Sequence, residues 1–246
     1  MNVGLYEIKP WFVRRLRYIE DALVARRVSA NLLSAGAVAI SVLTGVAVGF
    51  GGFLGLRMLW LVVPVLVLAR LGLNALDGSV ARRSRASNPV GPLVNEVSDR
   101  LADAAMLAPI ALVAPPALAF GALSAALLTS TTGVVAQALT GARDNTGPMG
   151  KADRCAVVAV ASVAGVATGS NVPFAWACWL VIAGSLVTAS ARVIRLRRAL
   201  ESDPAAIHML QNIDAFDLGV GSALANVVEF PQPVAIEEDM LHGFGR

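Results

Sequence analysis

Between residues 73 and 104 the chain reads LNALDGSVARRSRASNPVGPLVNEVSDRLADA, where Asn74, Asp77, Asn95, Glu96, Asp99 and Asp103 bring oxygen-bearing side chains next to apolar runs. On a helix, Asn74 and Asp77 share a face that Gly78 and Ala81 continue at i+4 and i+7 from Asn74. Those small residues leave room beside the carboxylate for a bulky group. Ser87, Asn88 and Pro89 read as a helix start with proline in the first turn. The helix that follows carries Asn95, Asp99 and Asp103 at four-residue intervals on one stripe, bordered by Glu96. Clustered oxygen donors without His or Cys suit a hard cation such as magnesium or manganese rather than zinc. The bland alternative is a structural network in which Arg82, Arg85 and Arg100 neutralise the acids.

The medium in which these helices sit follows from composition. The 246 residues are 56% hydrophobic and 15% charged, with a mean hydropathy of +0.67, too apolar for a soluble domain of this length. A span needs roughly 20 mostly apolar residues, and six fit, at about 30-50, 54-76, 97-114, 117-140, 155-171 and 174-192. The breaks fall at GFGG, SNP, APP, DNTGPMGK and SNVP, which are turn signals. The expected fold is all-α: a polytopic bundle of six transmembrane helices with an N-terminal interfacial amphipathic helix. Inside such a bundle carboxylates are costly unless paired or bound to a cation, which makes them functional candidates by default.

Lys and Arg set the orientation, because short positive loops stay on the cytoplasmic side. They cluster before the first expected span, after the second (Arg82, Arg83, Arg85), after the fourth (Arg143, Lys151, Arg154) and after the sixth (Arg192, Arg195, Arg197, Arg198). The other three links carry none. Both termini and the polar cluster are therefore expected at the cytoplasmic face.

The first 28 residues do not read as a cleaved signal peptide, since the charged stretch is long and no small-residue cleavage site is evident. Trp11, Leu16, Ile19, Leu23 and Val24 instead recur at helical spacing among arginines, as in a helix lying on the interface, or in a plain positive flank. Arg57 and Arg70 fall in the second apolar run. Arg57 can snorkel to the outer interface, and Arg70 can meet a lipid phosphate or pair within the bundle. Trp11, Trp60, Trp176 and Trp179 read as anchors or packing, and Cys155 and Cys178 as small packing residues. From Glu201 to Arg246 eight acids face one arginine, as in a docked extension or a partly disordered tail. His208 and His242 there are too isolated for a metal site. The expected organisation is thus 1-28 juxtamembrane, 29-199 membrane domain and 200-246 acidic cytoplasmic tail.

The cluster resembles the motif of the CDP-alcohol phosphotransferases (CDP-alcohol phosphatidyltransferases) of phospholipid synthesis, D-x2-D-G-x2-A-R-x8-G-x3-D-x3-D. This chain has Asn74-x2-Asp77-Gly78-x2-Ala81-Arg82-x8-Gly91-x3-Asn95-x3-Asp99, six of the eight fixed positions at the same spacing. More weakly the likeness covers residues 8-198. VSANLLSAGAV places Asn31 and Ser34 where members often carry Asn and Thr, and GPMGKADR at 147-154 is similar to a Gly-Lys segment that opens a later span.

The resemblance implies a bacterial inner-membrane transferase that moves a phosphatidyl group from CDP-diacylglycerol, or a related CDP-linked donor, to an alcohol or phospho-alcohol acceptor, releasing CMP. It implies a divalent metal, Mg or Mn, at Asn74, Asp77, Asn95 and Asp99, with Glu96 as a further donor. Asp77, Gly78, Ala81, Arg82 and Gly91, with Asn31 and Ser34, would shape the CDP site, and Asp99 would be the general base. Lys151, Arg154 and Arg143 would hold the acceptor. Membrane lipids and a second copy in a homodimer are the implied partners, and nucleic acid is not one.

Asn74 and Asn95 depart from the family's aspartates. Amide oxygens still bind a hard cation, but each exchange removes a negative charge. Glu96 and Asp103 could restore charge from the same helix, and one or two metal ions both stay open. A second reading follows from the asparagines: a catalytically silent relative that binds nucleotide-lipid or scaffolds a membrane assembly. A small transporter is a third, disfavoured because polar groups gather at one end of two spans rather than along a path.

Overall fold

The structure, a computed structural model, describes residues 17–83 and 90–202. The expectations for Trp11, Leu16, Arg85, the Ser87-Asn88-Pro89 helix start and the histidine-bearing tail lie outside the described residues. Among the described residues seven α-helices follow one another: α1 (Arg17–Ala25), α2 (Ala30–Phe53), α3 (Val63–Arg83), α4 (Gly91–Leu107), α5 (Pro116–Thr140), α6 (Lys151–Thr168) and α7 (Val172–Ser202). Short 3-10 segments, Arg57–Val62 and Ala108–Leu112, lead into α3 and extend α4. No strand occurs among the described residues. A contact-based division of the chain separates Met1–Arg197 from a second unit beginning at Arg198, of which only the last turn of α7 is described.

Local chemistry sets the helix ends. Ser29 has extended backbone and its hydroxyl accepts from the Leu32 amide at 3.3 Å, capping α2. Pro92 occupies the first turn of α4, where a missing N–H costs nothing. Gly141 and Gly169, at φ 70° and 61°, close α5 and α6 in the left-handed conformation.

Among the described residues four helical segments are long and apolar enough to cross a membrane by length and composition: Ala30–Phe53, Arg57–Arg83, Pro116–Thr140 and Val172–Ser202. The spans expected at 97-114 and 155-171 correspond to α4 with its 3-10 extension and to α6. α4 itself has 17 residues and α6 has 18, and they carry Glu96, Asp99, Arg100 and Asp103, and Lys151, Asp153 and Arg154.

The core joins Val48, Trp60, Val63, Met106, Leu107, Val158, Phe174 and Val181. Trp60 is fully buried; its indole N–H donates to the Val48 carbonyl at 3.0 Å and its ring meets Phe174 edge-on at 4.9 Å. Trp176 and Trp179 are exposed, while Cys155 and Cys178 are buried and free. Large apolar side chains such as Phe50, Val65, Leu128 and Leu180 point outward, and small residues fill helix contacts, the pattern of a bundle solvated by lipid. At Gly45 and Gly49 an added Cβ would fall 2.1 Å from the Ala105 carbonyl oxygen and 2.7 Å from that of Pro109. Here α2 and α4 therefore touch backbone to backbone. On α1, Leu23 and Val24 pack against Leu33, Leu76 and Val80, whereas Tyr18 and Ile19 are exposed.

Candidate active site

The polar stripes of α3 and α4 meet at one end of the bundle, and α2 supplies the link between them. The Ser34 hydroxyl lies 3.1 Å from Asp77 Oδ2, 3.5 Å from Asn95 Oδ1 and 3.3 Å from the Ala30 carbonyl oxygen. Its single proton is shared among three acceptors, so it links Asp77 to Asn95 without neutralising the carboxylate. Asp77 Oδ1 accepts from the Gly78 amide at 2.6 Å. Asp77 and Asp99 are both buried, and both line a cavity of about 470 Å³ together with Asn74, Gly78 and Asn95.

Basic groups form the facing wall. Lys151 begins α6 and its ammonium contacts the Asp99 carboxylate. The turn before it is ordered by Asp153, whose carboxylate accepts from the Gly150 amide at 2.8 Å. Arg143 reaches Glu96 through two bonds of 2.7 and 3.2 Å, and Arg100 contacts the same carboxylate one turn along. Arg192 on α7 is buried; its guanidinium donates to the carbonyls of Thr146 at 3.0 Å and Thr129 at 2.7 Å. Gly147, at φ 137°, lets the α5–α6 loop lie against Thr188, where a Cβ would fall 2.3 Å from the threonine methyl. In that loop, partial burial alone would raise Asp144, yet hydrogen bonds from Thr146 and Arg195 hold its carboxyl below the ordinary value.

Asp103 points the other way, into the bundle. It is fully buried between Arg70 at 2.6 Å and Arg154 at 2.7 Å. Arg70 also reaches Met106 Sδ at 3.2 Å and Cys155 Sγ at 3.5 Å. Of its two open readings, Arg70 thus takes the pairing within the bundle.

Most of the residues singled out in the sequence come together. Asn74, Asp77, Gly78, Asn95, Asp99, Arg143, Lys151 and Arg154 line the same cavity, with Ser34 directly behind. Glu96, Arg143 and Arg154 arrive already paired with opposite charges. Asn31, Ala81, Arg82 and Gly91 do not line the cavity. Thr129, Ser130 and Asn145 line it unannounced; the trace of the first two in the sequence is a run of hydroxyls, TSTT at 129-132, inside an apolar span. The neutralising arginines are Arg70, Arg100, Arg143 and Arg154. Of the three the network reading named, Arg85 lies outside the described residues.

The donor set suits a hard divalent cation. It is all oxygen, and the amide nitrogen of Asn74 is buried without a partner, leaving that side chain uncommitted at the cavity wall. No group of three or more His, Cys, Asp or Glu side chains able to hold a metal occurs among the described residues, because two of the four donors are amides.

Comparisons with known proteins bear on the fold and on ancestry. No family model matches the chain. The phosphatidylinositol phosphate synthase PgsA1 of Mycobacterium tuberculosis, solved with CDP-DAG bound, superposes with a TM-score of 0.61 at 16% identity, covering 79% of this chain and 97% of that one. The same enzyme in complex with manganese and citrate gives 0.60 at 16% identity, over 77% and 90% of the two chains. The fold is therefore that of the synthase. The inner membrane protein YnbA of Escherichia coli K12 is 34% identical over 155 residues, which is 62% of this chain and 76% of YnbA. An alignment of that length and identity reflects common descent, and the chain belongs to the family of the inner membrane protein YnbA.

Proposed function

We propose that the chain is an integral membrane CDP-alcohol phosphatidyltransferase, passing a phosphatidyl group from CDP-diacylglycerol to an alcohol and releasing CMP. One observation carries the reading: five of the motif's eight positions, Asn74, Asp77, Gly78, Asn95 and Asp99, line a single cavity whose facing wall is basic. The synthase fold, solved elsewhere with CDP-DAG, supports the donor class. We read α4 with its extension and α6 as the two short spans that complete six, with both termini cytoplasmic, and the enzyme as a homodimer of the bacterial inner membrane.

In this mechanism Asp99 accepts the proton of the acceptor hydroxyl, whose oxygen attacks the lipid-side phosphorus. The bond from that phosphorus to the CMP oxygen breaks, and CMP leaves. Asn74, Asp77 and Asn95, steadied by Ser34, would hold magnesium or manganese. Bound there, the cation would supply positive charge to the phosphoryl oxygens as they gain charge. Lys151 and Arg192 would receive the phosphate of a phosphorylated acceptor, since Arg192 is satisfied by carbonyls alone and its charge has no carboxylate in direct contact. Arg143 and Arg154 frame the same pocket from their ion pairs.

The test is CMP release by the purified chain in lipid with CDP-diacylglycerol, Mg or Mn and a panel of acceptors. Acceptor-dependent CMP that disappears in Asp99→Ala is the expected result. CDP-lipid binding without turnover under any acceptor would replace this reading with the silent relative, which the two asparagines and the Lys151–Asp99 contact favour.

A further inference from the structure

The charges around the cavity do not favour a large cation load. Asn74, Asp77, Asn95 and Asp99 bring four oxygen donors but only two negative charges. Across the whole lining, three acids face five bases. Asp153 is engaged with the first turn of α6, and Glu96 and Asp103 are held by their own arginines. No spare carboxylate is at hand to offset the mutual repulsion of two divalent ions, which in paired-metal sites lie within about 4 Å of each other. Asp99, the carboxylate such a pair would have to draw on, already carries the Lys151 ammonium.

We propose that Lys151 is a built-in cation of this site: its ammonium neutralises Asp99, and the cavity accepts a single divalent cation at Asn74, Asp77 and Asn95. The proposal rests on the transferase reading for where the cation would sit, but it concerns occupancy rather than turnover. A lysine fixed at the first residue of α6 supplies its charge at every metal concentration, whereas a second ion would come and go with supply. The ammonium is also mobile on its four-carbon stem, so an arriving phosphate can draw it away from Asp99 and leave that carboxylate free for the acceptor's proton.

The experiment is a Mn²⁺ titration of the full chain in lipid nanodiscs without substrate, counting bound ions from the loss of the free aqueous Mn²⁺ resonance. One Mn²⁺ per chain is expected, rising to two in Lys151→Met and staying at one in Lys151→Arg. Lys151→Gln repeats the neutralisation should the methionine variant not fold. Two ions on the unaltered chain, or none, overturns the proposal. So does a count still at one once the ammonium is removed, because a purely structural lysine would leave the number unchanged. The two readings fail separately: one bound Mn²⁺ with no CMP release removes the transferase and leaves the cation count standing, while acceptor-dependent CMP with two bound Mn²⁺ does the reverse.

Discussion

Asp99 and Asp103 sit one turn apart on α4, yet their surroundings are opposites. Asp103 is enclosed between Arg70 and Arg154 with no exposure; Asp99 borders the cavity, contacting the flexible ammonium of Lys151. An ion pair away from water repays its desolvation only when geometry is good and every partner stays in place. Asp103 therefore belongs to the architecture, tying α3, α4 and α6 together. Asp99 borders the space a ligand would enter, and its partner, the part-exposed ammonium of Lys151, can turn toward that ligand. The same residue type, four positions along one helix, is locked in one case and exchangeable in the other.

Breaking the locked half should have the largest effect. Asp103→Ala leaves two buried guanidinium groups uncompensated and should destabilise the chain by about 3–5 kcal/mol, read as thermal unfolding in detergent. Pairing it with Arg70→Met should restore part of that. If Asp103→Ala unfolds no earlier than Asp99→Ala, the distinction between the two aspartates fails. Asp99→Ala should lower CMP release roughly 10²- to 10³-fold, the scale of a lost general base, with little change in the melting temperature. Arg192→Gln should weaken a phosphorylated acceptor about tenfold, as expected for one hydrogen bond to a charged group, and should leave an unphosphorylated acceptor unaffected. Equal losses for both acceptors would show that Arg192 only braces the loop at Thr146.

Two smaller effects sharpen the comparison. Ser34→Ala removes the hydroxyl between Asp77 and Asn95 and should cost about 1 kcal/mol, read as a several-fold rise in the Mn²⁺ needed for half occupancy. Asp144 lies outside the bundle, and its carboxyl is held below the ordinary value. A depressed carboxyl stabilises the folded state fully above its unfolded value, about pH 3.9, and that stability is lost as pH falls through the folded value. Protection of the α5–α6 loop amides, taken relative to their intrinsic exchange rates, should therefore fall on acidification below about pH 4, and Asp144→Asn should remove that loss of protection.

The cavity's acidic wall was legible in the sequence because helical periodicity alone aligns Asn74 with Asp77 and Asn95 with Asp99. Ser34 was reached through the resemblance rather than through spacing. The basic wall was half legible: positive loops told which side Arg143, Lys151 and Arg192 share, but not which acid each would meet. The network reading turned to Arg82, Arg85 and Arg100, near the acids in the chain. Arg70 and Arg154, the partners of Asp103, stand 33 and 51 positions away, and no periodicity reports a contact at that range. Two of the six expected spans, 97-114 and 155-171, fall on α4 with its 3-10 extension and on α6; neither is among the segments long and apolar enough to cross a membrane, because their first turns carry polar and charged residues.

The close approach at Gly45 and Gly49 bears on how the site can move. Two helices in backbone contact cannot slide or roll past each other without a clash, so α2 and α4 form a stationary frame that fixes Ser34 opposite Asn95. The start of α6 meets α4 through charged side chains, Lys151 on Asp99 and Arg154 on Asp103. Any rearrangement on ligand entry must then be a matter of rotamers at the head of α6 and the loop before it, a shift of a few ångströms rather than a rocking of domains.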